Sequence, residues 1–163
     1  MKEEEIKQEI ELCVRSYLEA KDRVNEEGLD KFHELRILEV GFNRLFMSVE
    51  HLCNAIMLFE KGNFSRKHFG DIIKLRELNK KYGVDIAQSY QTTYNFRSYA
   101  DYRKCPEVED HFTKEELQKQ VTELKEVIQK TAEVMMVKGK QNWMSPDGIP
   151  HIELLLTEFE TGE

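Results

Sequence analysis

The chain has 163 residues and a formal net charge of −7, a length that suffices for one hydrophobic core and is short for two. Hydrophobic residues make up 40% and charged residues 34%, with only 8 Gly and 3 Pro. This balance is typical of a helix-rich globular protein and excludes a disordered chain.

The cysteines and the apolar stretches indicate in which cellular compartment the protein lies and whether it spans a membrane. Cys13, Cys53 and Cys105 lie far apart and form no Cys-x-x-Cys pair, which argues against a disulfide framework and a zinc site. The first residues are acidic, and the longest apolar stretch, around residues 52–59, is interrupted by Asn54. We therefore expect a cytoplasmic protein with no membrane span, no metal and no cofactor.

The negative charge is unevenly distributed along the chain. Residues 61–104 contain ten Lys or Arg and four Asp or Glu, a local charge of +6, so the rest of the chain carries −13. One stretch of an acidic protein is therefore basic. It forms either an ordinary solvated helix face or a surface that meets an anion.

Apolar periodicity predicts the first two helices. From Ile6 to Val24 the apolar residues recur at steps of four and three, which predicts a helix with one buried stripe over about residues 6–27. Residues 31–60 are apolar on several faces, as expected of a helix buried among neighbours. This second, central helix is predicted to end near Gly62.

Two shorter helices are predicted next. The third spans about residues 65–82 and is closed by Gly83. Its inward residues are predicted to be Phe69, Ile72, Ile73 and Leu78. Asp85 is the expected N-cap of a fourth helix, which runs to about residue 104 and ends before Pro106.

A fifth helix is predicted from a capping box, in which Thr113 is followed three residues later by Glu116. Its inward residues are predicted to be Leu117, Val121, Leu124, Ile128 and Met135. Strand signals are nearly absent. The sequence therefore predicts an all-α fold, an up-and-down antiparallel bundle of about five helices with a short C-terminal extension.

The predicted bundle occupies residues 1–138, and residues 139–163 form the extension. The extension begins with a turn-rich connector and continues with a short apolar segment over residues 151–160. The apolar side chains of that segment are Leu154, Leu155, Leu156 and Phe159. They are too apolar for a free tail, so we expect the segment to dock on the bundle or on a partner.

The fourth predicted helix carries the residues best suited to hold an anion. Arg97 and Asp101 are one helical turn apart, so an ion pair can fix the guanidinium. Tyr102 and its neighbouring tyrosines can stack on a base. The same pattern also fits a surface salt bridge beside tyrosines at the rim of the core, so a structural role stays open.

The second predicted helix adds three polar candidates, Asn43, Arg44 and His51. Arg44 and His51 are seven residues apart, so they point the same way about 10 Å from each other and can line one cleft. A lone His on a largely apolar helix is also often a core residue bonded to a neighbour. No nucleophile elbow, phosphate-binding glycine loop or paired metal-spaced His is present, which leaves the familiar hydrolase chemistries unsupported.

Three segments together resemble the HEPN domain (higher eukaryotes and prokaryotes nucleotide-binding), particularly its small stand-alone prokaryotic branch. Residues 43–51, Asn-Arg-Leu-Phe-Met-Ser-Val-Glu-His, are similar to the family's Asn-Arg-Ala-Tyr-Tyr-Ala-Met-Phe-His at the Asn, Arg and His. Residues 66–68, Arg-Lys-His, look like its Lys-Thr-His, and residues 97–102 look like its Arg-x-x-Ala-Asp-Tyr. The last match is the most specific one. The resemblance covers roughly residues 3–137.

The resemblance implies a helical bundle that forms a homodimer and binds a nucleotide or an RNA phosphate in a cleft between protomers. It also implies a partner, the minimal nucleotidyltransferase of a toxin–antitoxin pair. The residues it assigns to binding are Arg97, Asp101, Tyr102, Asn43, Arg44 and His51.

Many members of that family are metal-independent ribonucleases, whose signature is an Arg followed after four to six residues by a His. No His stands at those positions after Arg97, and His111 lies one residue too far from Arg103. One alternative is therefore an endoribonuclease that uses His51 or His111 with Arg97. Another is a non-catalytic bundle in which these residues form a buried polar network. Whether the chain is an enzyme stays open at this point.

Overall fold

The computed structural model describes residues 2–62 and 72–139, and these residues form helices without a strand among them. The elements are α1 (Lys2–Val24), α2 (Lys31–Lys61), α3 (Ile72–Tyr82), α4 (Ile86–Tyr102), a 3₁₀ helix (Pro106–His111) and α5 (Lys114–Gly139). The predicted all-α bundle is thereby confirmed. The predictions for residues 63–71, which include the Arg-Lys-His segment, and for the extension beyond Gly139 lie outside the described residues.

Helix ends follow the local signals in the sequence. The Asp85 side chain accepts a hydrogen bond from the backbone N–H of Gln88 at 2.9 Å, which caps α4. The Thr113 hydroxyl accepts from the N–H of Glu116 at 3.2 Å at the start of α5. Gly62 ends α2 in the left-handed region with a φ of 81°, a conformation that glycine adopts without strain.

The direction of each helix can be read from its contacts. Glu9, early in α1, pairs with His51, whereas Glu19 pairs with Arg44, so α1 and α2 run antiparallel. Phe46 of α2 contacts Tyr90, early in α4, whereas Glu39, which lies earlier in α2, pairs with Arg103, directly after α4. The α2–α4 pair is therefore also antiparallel.

The centre of the core is aromatic. Phe42 of α2 is fully buried and stacks on Phe96 of α4, with ring centroids 4.7 Å apart, and on Phe112, with centroids 4.9 Å apart. At the preceding residue of α2, a Cβ built on Gly41 would lie 2.6 Å from Cδ2 of Leu117. Gly41 therefore lets α5 approach α2 closely at this level.

One predicted core position is wrong. Ile73 was expected to face the core, but its side chain is 70% exposed, and Leu75 is buried in its place. Successive residues of a helix are rotated by about 100°, so Ile73 and Leu75 point in nearly opposite directions and a single buried stripe accepts only one of them. The short α3 has one such stripe. The first helix also ends earlier than predicted, at Val24.

Across the described helices, none combines the length and the apolar composition that a membrane crossing requires.

Candidate functional site

Four of the six candidate residues meet where α4 packs on α2. The Asn43 side-chain amide donates a hydrogen bond to Oδ2 of Asp101 at 2.9 Å, and Nε of Arg97 lies 3.1 Å from the same oxygen. Tyr102 follows Asp101 on α4. We call Asn43, Arg97, Asp101 and Tyr102 the polar cluster. The predicted Arg97–Asp101 ion pair is present, and a residue of α2 supports its carboxylate.

The guanidinium of Arg97 is held between two aromatic rings. Its Cζ lies 5.6 Å from the ring centroid of Phe46 and 5.4 Å from that of Tyr102, which are cation–π distances. The Arg97 side chain is only 19% exposed, and its Nε, which faces Asp101, is buried and makes no hydrogen bond within the described ranges. The guanidinium is therefore fixed in place by an ion pair and two rings.

The surface around the cluster is open and aromatic. Tyr102 is 60% exposed, and the Lys104 ammonium lies 5.8 Å from its ring centroid. Behind Arg97, Phe46 contacts Tyr94 edge to face at 5.6 Å. Burial raises the pKa of Tyr90, the tyrosine one turn before Tyr94 in α4, so that its phenol stays neutral at physiological pH.

The end of α4 is closed by an arginine rather than a glycine. Arg103 has a φ of 55°, an uncommon value for a residue with a side chain. Its guanidinium donates to the carbonyls of Tyr99 and Ala100, both at 2.8 Å, and to Glu39 of α2 at 2.6 Å. The Tyr99 carbonyl also accepts from the backbone N–H of Arg103 at 2.9 Å, and together these bonds fix the turn that carries Tyr102 and Lys104.

The other two candidates, Arg44 and His51, lie on the face of α2 that meets α1. Nε of Arg44 pairs with Glu19 at 2.8 Å. Nδ1 of His51 lies 2.6 Å from Oε2 of Glu9, and because a carboxylate only accepts hydrogen bonds, Nδ1 is the donor. We call this face, with Ser48 between the two pairs, the α1–α2 seam.

The middle of the α1–α2 seam is buried. The Ser48 hydroxyl donates to the backbone carbonyl of Cys13 at 2.7 Å and lies 3.4 Å from its thiol. Since the single hydroxyl proton is used on the carbonyl, the thiol is the donor in the second contact. Burial raises the pKa of Cys13 to about 12, so that the thiol stays protonated and unreactive at neutral pH.

The structure does not bring His51 and Arg97 together. Asn43, which touches the Arg97 ion pair, and His51 are eight residues apart on α2, or about 12 Å along its axis, and their partners lie on different helices. His111, the other candidate acid or base, lies at the exposed end of the 3₁₀ helix. In the described part of one chain, no contact joins His51 to Arg97, the pair that the ribonuclease alternative uses.

A polar groove opens elsewhere, between α2, α4 and α5, with a volume of about 80 Å³. Its lining is Val49, Gln88, Ser89, Thr92, Thr93, Gln120, Glu123 and Leu124. None of the six candidates belongs to it. Over the ranges 2–62 and 72–139, no group of His, Cys, Asp and Glu side chains is placed to hold a metal ion.

Two contributors to the cluster were not singled out from the sequence. Phe46 lies three residues after Asn43, so helical spacing could have placed it beside the Arg97 pair. Lys104 follows Tyr102 by two residues, past the end of α4, and its position over the ring depends on the Arg103 turn.

Comparisons with protein-family models, with curated proteins and with solved structures gave no match to this chain. The HEPN resemblance therefore stays a prediction, and the functional argument depends on the geometry of the site.

Proposed function

We propose that the polar cluster binds the phosphate of a nucleotide or of RNA, with Arg97 as the anion-binding group. The observation that carries this proposal is the fixed guanidinium of Arg97, which is paired with Asp101 through Nε and held between two rings, one of them exposed. A planar guanidinium with fixed orientation suits two oxygens of a phosphate better than a mobile lysine does.

The exposed ring of Tyr102 supplies the second part of a nucleotide site. A base can stack on an aromatic ring, and such stacking tolerates any base sequence. Tyr102 presents its ring beside Arg97, so that one nucleotide can place its phosphate on the arginine and its base on the tyrosine. Lys104 adds a positive charge at the same ring.

The local charge favours an anion in spite of the acidic composition of the chain. From residue 72 to residue 104 there are seven Lys or Arg and three Asp or Glu. Asp101 is paired with Arg97, and two of the cations, Lys81 and Arg103, are paired with Glu60 and Glu39 of α2. The smaller excess of positive charge that remains attracts a polyanion to α3, α4 and the turn that follows.

The HEPN resemblance extends the proposal to a cytoplasmic homodimer that pairs with a minimal nucleotidyltransferase. The alternative of an endoribonuclease has one supporting observation, a histidine oriented by a carboxylate, His51 on Glu9. It requires a second copy, or the undescribed residues, to bring an acid or base to Arg97. The structural alternative predicts that the cluster serves packing alone.

The decisive experiment compares Arg97→Ala with the wild type by calorimetric titration of ATP and of a single-stranded RNA decamer. The proposal predicts that Arg97→Ala weakens the affinity for both ligands by at least about tenfold, since a charged hydrogen bond contributes about 1.5–3 kcal/mol. Arg15→Ala is the matched control, because it removes an exposed arginine from α1 and changes the net charge equally.

If both variants bind as the wild type does, or if the wild type binds neither ligand, the cluster is structural. The same RNA, incubated with the wild type in EDTA, tests the ribonuclease alternative. Degradation that His51→Ala or His111→Ala abolishes would support it, and intact RNA would exclude it under these conditions.

A further inference from the structure

One face of α2 continues past the end of α4 and is uncovered within the described residues. Glu39 pairs with Arg103, so the end of α4 lies level with Glu39, and the first two turns of α2 extend beyond it. These turns carry two exposed apolar side chains, Phe32 and Leu35. Phe32 is 85% exposed, which is unusual for an aromatic residue in a long helix.

This uncovered face lies on the same side of α2 as the polar cluster. Phe32, Leu35, Arg36, Glu39 and Asn43 follow one another at steps of three, one, three and four, which keeps them on one face of a helix. Asn43 is the residue that bonds the carboxylate of the Arg97 pair. The surface is therefore continuous from Phe32 to Tyr102. We call it the aromatic strip.

The charge between the two exposed rings is positive. Arg36, Arg97, Arg103 and Lys104 are cationic, whereas Glu39 and Asp101 are the acidic residues of the strip, which leaves a net charge of +2. Glu39 is neutralised from both sides, by Arg103 at 2.6 Å and by Arg36 at 3.6 Å. The nearby Glu34 is turned away from the strip and accepts from the N–H of Gly28.

We propose that the ligand of the polar cluster is a single-stranded polynucleotide, and that Phe32 is a second stacking platform for it. This inference rests on the proposed function and adds a second contact to it. Phe32 and Asn43 are about 17 Å apart along α2, and stacked nucleotides of one strand rise by about 3.4 Å each. The length of the strip along α2, from Phe32 to Asn43, therefore matches about five stacked nucleotides.

A duplex fits this surface poorly, because its bases are stacked on one another and unavailable to Phe32 and Tyr102. Single strands expose their bases, and an aromatic residue at each end with cations between them is the arrangement that binds them without sequence preference. A protein partner would also cover an apolar helix face, but it would not require the cations that lie between the rings.

The test is the length dependence of binding, measured by fluorescence anisotropy with labelled oligouridylates of ten and two nucleotides. Phe32→Ala should weaken binding of the decamer about tenfold, which is the low end of the effect of removing one stacking ring. It should leave binding of the dinucleotide unchanged. Leu29→Ala is the matched control, because Leu29 is 91% exposed and lies before α2. It should change neither affinity.

The variants separate the two proposals. If Arg97→Ala abolishes binding while Phe32→Ala leaves the decamer unaffected, the polar cluster binds RNA and the strip does not. If Arg97→Ala has no effect on either oligonucleotide, the proposed function itself fails. If Phe32→Ala changes the sedimentation coefficient, and thus the state of assembly, but leaves RNA binding unchanged, the strip is a protein interface and the inference is overturned. Unfolding is not expected from Phe32→Ala, because the ring has few contacts to lose.

Discussion

Asn43 and Arg44 are adjacent in the sequence, yet their side chains belong to different regions of the bundle. Asn43 joins the polar cluster with α4, where Arg97 is fixed beside the exposed ring of Tyr102. Arg44 joins the α1–α2 seam, where each charged candidate has its own partner, Glu19 for Arg44 and Glu9 for His51. The cluster is therefore suited to take up a ligand, and the seam is suited to hold two helices together.

The comparison teaches that a polar motif on one helix can serve two purposes. On α2 the rotation of about 100° between successive residues sends Asn43 and Arg44 to different neighbours. The three α2 residues that agree with the HEPN motif are thus divided between a surface that can bind and a pair of packed helices. Each prediction below changes one of the two regions and measures RNA binding, stability or both.

The largest expected effect is that of Phe46→Ala in the polar cluster. The ring is buried and also supports the Arg97 guanidinium, so its removal should lower the free energy of unfolding by about 3–5 kcal/mol and weaken RNA binding. Leu45→Ala is the control, because Leu45 is equally buried on the same helix and is not among the described contacts of Arg97. Urea denaturation should show a comparable loss for Leu45→Ala, but RNA affinity should persist.

Equal loss of RNA affinity in the Phe46 and Leu45 variants would mean that binding follows overall stability rather than the geometry of the cluster.

The next effect concerns the buried thiol of the seam. Burial raises the pKa of Cys13 from 9.0 to about 12, so between these values the unfolded chain loses a proton that the folded chain keeps. The contribution of Cys13 to stability is therefore complete below pH 9 and is lost as pH rises, by about 1.4 kcal/mol between pH 8 and pH 10.

Cys13→Ala should remove that part of the alkaline decline, which denaturation at pH 8, 9 and 10 can measure. The stability that Cys13→Ala loses through poorer packing does not depend on pH. Only the slope of the free energy of unfolding against pH therefore tests the prediction. Tyr17, whose pKa is raised from 10.0 to about 12 by burial, adds its own decline above pH 10 in both proteins. An unchanged slope below pH 10 would show that the thiol is accessible.

The smallest expected effects separate the two neighbours. Asn43→Ala removes the hydrogen bond to Asp101 and should weaken RNA binding severalfold, with a stability loss of about 1 kcal/mol. Arg44→Gln breaks a half-exposed ion pair, so it should lower stability by about 0.5 kcal/mol and leave RNA binding unchanged. Titration calorimetry and urea denaturation of both variants provide the measurements. Reduced RNA affinity in Arg44→Gln would erase the distinction between the two regions.

Most of the helical layout could be predicted from local patterns. The caps at Asp85 and Thr113 and the end of α2 at Gly62 are local features, because each depends on residues within one turn. The inward positions predicted for α5 are all buried, since a long amphipathic helix has one apolar stripe. The 3₁₀ helix between α4 and α5 was not predicted, because short irregular segments carry no periodicity.

For the site, the sequence alone determined the Arg97–Asp101 pair, because two residues one turn apart on a helix meet whatever the fold. Only the tertiary structure decided that Asn43 joins this pair, that Arg44 and His51 do not, and that Phe32 extends the same surface. The reason is physical. A contact within one helix depends on spacing, whereas a contact between helices depends on which faces turn toward each other, and that is set by the packing of the whole core.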